Sequence, residues 1–460
     1  MGSTTATNIG PTAALAEYVV SSEFVGIPED VKAEAVRTLL NWVGCAVGGA
    51  RDESIDIVLA ALAPFAGPAQ ASVLGRTDRT DILNAALLNG ISGHALDFDD
   101  THLKTIIHPA GPVAAALLAL AEHRPVSGEA FLHALILGIE VECRLGNAVY
   151  PEHYDVGWHI TGTAGVFGAA AAVGRLLGLS TRQMRWALGI AATQSSGLSE
   201  MFGSMCKGFH VGHAARNGLV AALLADKNFT SSERAIEAPR GFANVLSTRR
   251  DYGEITDGLG TRFESALNTY KPFACGICIH PTIDGCIQLR DEHGLSAGDI
   301  ARVDLKVHPH VVDISGNPVP KNGLEAKFSV YHAAAIAIIR GKAGVGEFTD
   351  KAVNDPEVIE LRQKVNTEVC RDMAEDRVEI LMTLTNGRTL RKAVEHAVGS
   401  LKRPMTNQQL DAKFTDLCDP VLGAETCVRL IQLCRNVARL GDVAVIAQAA
   451  TPCWETSDIL

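Results

Sequence analysis

The chain has no basic surplus. Lys and Arg number 41 against 52 Asp and Glu, a formal net charge of −11 over 460 residues. Without a basic stripe to neutralise phosphates, nucleic acid is excluded as the expected partner. The same field repels small anions, so an anionic substrate needs a local pocket of Lys, Arg and His. Cysteine is too sparse for a disulfide scaffold: there are 11, and Cys45, Cys143 and Cys434 fall in apolar helical runs, as reduced buried thiols do. The opening MGSTTATNIG has no charged-then-apolar leader and no Arg-rich transit pattern. It misses a myristoylation signal because Ala6 stands where Ser or Thr is needed. The longest apolar run, around 161–180, is Gly/Ala-rich and broken by Arg175, so no membrane span is expected. A soluble, cytoplasmic protein is the expectation.

Nucleotide and nucleophile motifs are missing too. There is no GxSxG elbow and no P-loop, and "GLGTRF" lacks the third glycine and preceding strand of a dinucleotide fingerprint. Metal signatures fare no better. The Asp97-Phe-Asp99-Asp100 run has no glycine where a calcium loop needs one, and HExxH is absent. Cys275-Gly-Ile-Cys278 is a lone CxxC without a second pair, better read as a helix start with small buried thiols. No metal and no cofactor is expected.

What is present is helical punctuation. At 47% hydrophobic and 20% charged the chain is globular, and its length suggests two domains. Residues 30–225 carry apolar residues at helical spacing. Ser127 introduces one such run, which is expected to stop near Gly146, and Ser180 with Gln183 forms a capping box before another. After about 265 the pattern changes. Residues 302–309 alternate, and 377–396 read as two strands joined by an Asn386-Gly387 turn. From about 405 the chain is helical again. The expected segments are 1–265, 266–402 and 403–460: helical, α+β, helical.

Four segments set titratable groups among small apolar residues. "HALDFDDTHLKTIIHPAGP" (94–112) has Asp97 and Thr101 four apart, as on one helix face, with His108 following; Asp99 and Asp100 read as a helix cap or as solvated groups. "GWHITGTAG" puts His159 before a run suited to open a helix. "KGFHVGHAARNG" sets Lys207 and His210 three apart, and "KPFACGICIHPTIDG" holds Lys271, His280 and Asp284. One such histidine is usually a satisfied core group. Four clusters argue for a shared polar pocket, since each buried charge needs a partner.

At these segments the chain resembles the MmgE/PrpD family, which includes 2-methylcitrate dehydratases, cis-aconitate decarboxylases and iminodisuccinate epimerases. The carrying stretches are "HALDFDDTH…HPAGPV", "GWHITGTAG", "K…HVGHAARNG", "KPFACGICIHPTID" and "AKFSVYHAAA", in the family's order. The resemblance implies a mainly α fold, with a large helical domain made from both chain ends and a smaller α+β lid, usually as a homodimer. It implies that Asp97, Thr101, His108, His159 and Lys207 line the active site, with Lys271 and His280 reaching it from the lid. His332 stands three after Ser329, where the family often has a pocket tyrosine, and Tyr331 is one residue earlier.

The implied chemistry is metal-independent proton transfer next to a carboxylate of a small di- or tricarboxylate. His108 and His159 would be the acid/base pair, with Asp97 and Lys207 assisting. Thr101, His210, Lys271, His280, Tyr331 and His332 would bind substrate. A 2-methylcitrate dehydratase-like lyase is expected. A cofactor-free epimerase of an iminodisuccinate-type acid and a cis-aconitate decarboxylase are the alternatives.

Overall fold

The computed structural model describes residues 9–452; most of the opening segment, where leader and acylation signals were sought, lies outside them. Among the described residues the chain is mainly α, with 21 α-helices and eight short strands. It divides into two compact units. Of the described residues, the first holds 9–95, Asp99–Asn268 and 407–452; the second holds Leu96–Phe98 and Thr269–Thr406.

The first unit is built on helices α1 (Glu29–Gly48), α2 (Ile82–Ala95), α3 (Ala110–His123), α4 (Gly128–Val149), α5 (Ile160–Leu177), α6 (Thr181–Ala192) and α7 (Cys206–Asp226). Local signals start several of them. Ser127 accepts from Ala130 N at the head of α4, and the Ser180/Gln183 capping box closes the N-terminus of α6. Small residues then bring backbones together. A Cβ on Gly90 of α2 would sit 2.5 Å from the Cα of Gly212 on α7, so only glycine permits this crossing. Leu137, Val141, Phe167, Ala170, Ala214 and Ala221 share one core. Helix α5 is long and apolar enough to cross a membrane, yet 83% of that stretch is buried inside the protein. Arg175 near its end donates to the Val20 and Ser22 carbonyls. In the returning C-terminal segment, Phe414 packs against Gly44 of α1 and Lys413 Nζ donates to Asn41 Oδ1 at 2.8 Å.

Helix α4 continues three residues past Gly146, to Val149. That glycine does not stop the helix. It makes room for a neighbour, since a Cβ there would lie 2.5 Å from Ile107 Cδ1.

The second unit is α+β. Strands β1 (Ile300–Val307), β2 (Val365–Val369), β3 (Val378–Leu384) and β4 (Thr389–Val394) form a sheet in the order β2-β1-β3-β4. Strand β1 runs parallel to β2 and antiparallel to β3. Val303, Leu305 and Val307 are buried on one face, following the alternation. The β3–β4 hairpin pairs Thr383 with Thr389, and Gly387 takes φ +85° in its turn. Helices His280–His293 and Val330–Arg340 contribute to this unit, and Ile380 of β3 fits against Gly285 of the former.

One buried cation ties the first unit together. Arg144 has no exposed surface; its Nε donates to Glu140 Oε1 at 2.6 Å, and its other nitrogens reach the carbonyls of Ile255, Asp257, Gly258 and Arg262. Truncating one partner of such a pair strands the other charge. Arg144→Ala is therefore expected to cost about 3–5 kcal/mol, read as a lower urea midpoint; an unchanged midpoint contradicts this role.

Candidate active site

Helix α2 ends at Ala95, so the segment that follows is not helical as expected. Asp97 takes a left-handed conformation (φ 50°), residues 100–102 are extended, and Ile106 is also left-handed (φ 60°). Asp97 and Thr101 therefore share no helix face. A β-branched residue at positive φ is a costly conformation held by its surroundings. Here the His102 N–H donates to the Ile107 carbonyl at 2.8 Å, closing the turn that delivers His108 to the head of α3.

His108 is almost fully buried, and its surroundings fix its tautomer. Its Nδ1 lies 2.8 Å from the Asp100 carbonyl, which can only accept, so Nδ1 carries the proton. Nε2 is left as the nitrogen able to take a proton from carbon or, once protonated, to give one. Thr101 Oγ1 is 3.3 Å from the same Nδ1, and the His108 backbone N–H donates to Thr161 Oγ1 on the first turn of α5. Asp99, with no exposed surface, lies between two imidazoles. Its Oδ2 accepts from His94 Nδ1 at 2.7 Å, and its Oδ1 is 3.5 Å from His108 Nδ1.

The other histidines come from distant segments. His159 sits at the N-cap of α5 and His210 on the first turns of α7; their Nδ1 atoms are 3.0 Å apart, so one donates to the other. Gly197, at φ +132°, lies against them, where a Cβ would sit 3.2 Å from the His210 ring and 3.5 Å from His159 Cβ. The Phe202 ring meets His159 edge-on at 5.1 Å, and Lys207 Nζ stands 5.4 Å from the centre of the Phe202 ring. The rings of His94 and His159 are 6.1 Å apart, and those of His94 and His108 4.7 Å. The first unit thus gathers His94, Asp99, Thr101, His108, His159, Lys207 and His210.

These groups tune one another. Burial, then the nearby positive charges of Lys207 and the other histidines, holds His159 well below its usual range. Burial, with His94 and His213, lowers His210 to about 4. Both are neutral imidazoles at neutral pH in the ligand-free protein.

The remaining candidates belong to the second unit. Lys271, 1% exposed, holds Asp97 through an ion pair at 2.5 Å and also donates to the Asp97 carbonyl. Lys327 donates to the carbonyls of Leu96 and Ala274. His280 starts its helix with Nε2 3.4 Å from the Cys275 carbonyl. Asp284 is occupied by Arg403 and Gln288. Tyr331 bonds Thr367 through its hydroxyl, and His332, fully enclosed, donates from Nε2 to the Glu347 carbonyl. Burial of the two CxxC thiols raises both, Cys278 included, so they stay protonated.

His94, Asp99 and His108 bring possible ligand atoms within 4.8 Å of one another. Their donors are already committed: His94 Nδ1 to Asp99, His108 Nδ1 to a backbone carbonyl. Both rings are thus held through Nδ1 by acceptors, with Asp99 standing between them. A second set in the second unit, His308, His310 and Glu375, is partly exposed, and His308 Nδ1 accepts from the His310 N–H.

Family models for the MmgE/PrpD N-terminal domain and the MmgE/PrpD C-terminal domain match residues 13–255 and 273–437. The chain belongs to the MmgE/PrpD family. Similar curated proteins include the cis-aconitate decarboxylase of Aspergillus terreus, 26% identical over 471 residues that cover 95% of both chains. The human cis-aconitate decarboxylase is 29% identical over 89% of this chain and 88% of its own length, and the mouse protein 28% over 90% and 87%. Sequence reasoning gave no catalytic role to His94 or Asp99. His94 lies in the last turn of α2, and Asp99, read as a cap or a solvated group, is instead fully buried just beyond the end of that helix.

Protonation linkage gives a test of the buried histidines. Burial lowers His332 to about 4, partly offset by its bond to the Glu347 carbonyl. Unfolded, it takes up a proton near 6.5, about the unperturbed value. Between these values the unfolded chain binds more protons, so the contribution of His332 to stability falls as pH drops through that window. His332→Gln should therefore show a shallower loss of melting temperature from pH 6.5 to 4 than the parent chain. Parallel curves would place His332 in an environment it does not have here.

Proposed function

We propose that this protein is a metal-independent acid–base lyase acting on a small tricarboxylate. Within that class, decarboxylation of a cis-aconitate-type acid is the reading its relatives favour. The observation that carries the proposal is the first unit's constellation: His108, its Nδ1 held by a backbone carbonyl, beside His159, His210 and Lys207.

The chemistry follows from charge. Losing a carboxylate as carbon dioxide leaves an electron pair on carbon, and a proton must be delivered to it. Losing hydroxide needs a proton removed first. Either way, negative charge develops beside a carboxylate, and preorganised cationic and hydrogen-bonding groups stabilise it in place of an ion. Lys207 supplies fixed positive charge. His108 and His159 exchange the proton, and Thr101 and His210 bind substrate oxygens. Neutral in the free protein, His159 becomes the acid when a polyanion binds, because nearby negative charge favours the imidazolium.

For the second unit, Asp97 is proposed to act through its ion pair with Lys271. Lys271, His280, Tyr331 and His332 are proposed substrate-binding residues on the motif match. The working form is proposed to be a cytoplasmic homodimer; the ten described cysteines are all free thiols, in keeping with a reducing compartment. Dehydration of a 2-methylcitrate-type acid uses the same proton chemistry and is the alternative.

Proton NMR of the product mixture, with cis-aconitate, citrate, 2-methylcitrate and iminodisuccinate offered in turn to metal-stripped protein, tests the proposal. The expected result is turnover of a tricarboxylate with loss of carbon dioxide. Loss of water selects the alternative, and turnover that stops in chelator and returns with a metal overturns the reading. His159→Gln should lower turnover ~10²–10⁴-fold with melting temperature retained; near-normal turnover removes His159 from the mechanism.

A further inference from the structure

Glu142, in the middle of α4, has no exposed surface, and neither of its carboxyl oxygens has a hydrogen-bond partner among the described residues. It occupies a slot made by two glycines: a Cβ added at Gly165 or Gly168 of α5 would lie 3.0–3.1 Å from Glu142 Oε2. Pro112 of α3 closes the same slot beside Gly165. Asp100, also fully buried, is bound to the same turn of α3, at Ala110, two residues before the Pro112 that closes the Glu142 slot. Asp100 Oδ2 accepts from the Ala110 N–H at 3.0 Å and from Asn268 Nδ2 at 2.7 Å, while Oδ1 has no partner.

Around the pair, the nearby acids on α4 and its partners are otherwise engaged. Glu140 is bound by Arg144 and by the Ser265 N–H, and Glu264 by His102. Asp99 adds a further negative charge beside Asp100. Cys143 is raised by burial and by these acids, and stays a thiol. The slot residues Gly165, Gly168 and Pro112 carry no charge. Two buried carboxyls without a cation between them cannot both ionise.

We propose that Glu142 and Asp100 form a buried carboxyl pair holding one proton between them, and that this pair positions His108. Asp100 does so twice. Its carbonyl accepts the His108 Nδ1 proton, and its carboxylate binds the first turn of α3, directly after His108-Pro109. Burial supports the protonated state: Asp100 is pushed up to about 7 and Glu142 well above the carboxylate range. Neither residue is catalytic in this reading; both act through His108. The kinetic part rests on the function proposed above, whereas the carboxyl pair itself does not.

The test uses the full chain with Glu142→Gln, Glu142→Leu and Asp100→Asn. In infrared spectra at pH 7.5, the parent protein should show the C=O stretch of a protonated carboxyl that Glu142→Gln lacks and that Asp100→Asn shifts. Identical spectra for the parent and Glu142→Gln would overturn the pair. In turnover of the tricarboxylate identified above, Glu142→Leu and Asp100→Asn should lower kcat on the order of 10–100-fold with KM little changed, and Glu142→Gln should restore most of it. A kcat for Glu142→Leu equal to that of the parent would overturn the positioning role. If no acid of the panel is turned over, the functional proposal fails, and the infrared comparison still decides the pair.

Discussion

Burial of charge without enough counter-charge organises the first unit. Asp99, Asp100 and Glu142 are carboxyls with no exposed surface, and His94, His108, His159 and His210 are nearly as enclosed. A buried polar group that is not hydrogen-bonded costs several kcal/mol, so each imagined rearrangement of one group must find partners for the next. This constraint fixes the His108 tautomer through a backbone carbonyl and sets His94 against Asp99. It also leaves the His159 and His210 rings sharing a proton across 3.0 Å. The left-handed Ile106 is one conformational cost of holding the loop there.

The same burial sets the resting charge of the site. Desolvation and mutual repulsion keep His159 and His210 neutral, so the ligand-free site carries less positive charge than its count of histidines suggests. In the function proposed above, a small polyanion reverses that balance: the histidines take up protons from solvent as it binds, which offsets the repulsion of the overall charge of −11. Structural charge is kept apart from this chemistry: Arg144 is consumed by Glu140 and by carbonyls.

How much of this was legible depended on whether the signal was local. The Ser180/Gln183 box, the Asn386-Gly387 hairpin and His159 at the head of α5 rest on a few neighbouring residues, and all could be read directly. The five ordered stretches named the family that the family models also match. Gly146 was misread as a stop because its contact, Ile107, lies 39 residues away in the sequence. The helix inferred across Asp97 and Thr101 failed because spacing cannot reveal two left-handed residues. Asp99 was read as a cap or a solvated group, and Glu142 was passed over, for a related reason. Their meaning lies in enclosure by other helices, and the 51-residue separation of His159 from His210 is typical of contacts that no window of sequence contains.

The central claim is that substrate charge converts buried neutral histidines into acids. Calorimetric titration of the metal-stripped protein with an unreactive tricarboxylate, at pH 7 in buffers of different ionisation enthalpy, measures it directly. The account predicts net proton uptake on binding, reduced in His159→Gln. Binding with no uptake, or with proton release, would contradict it.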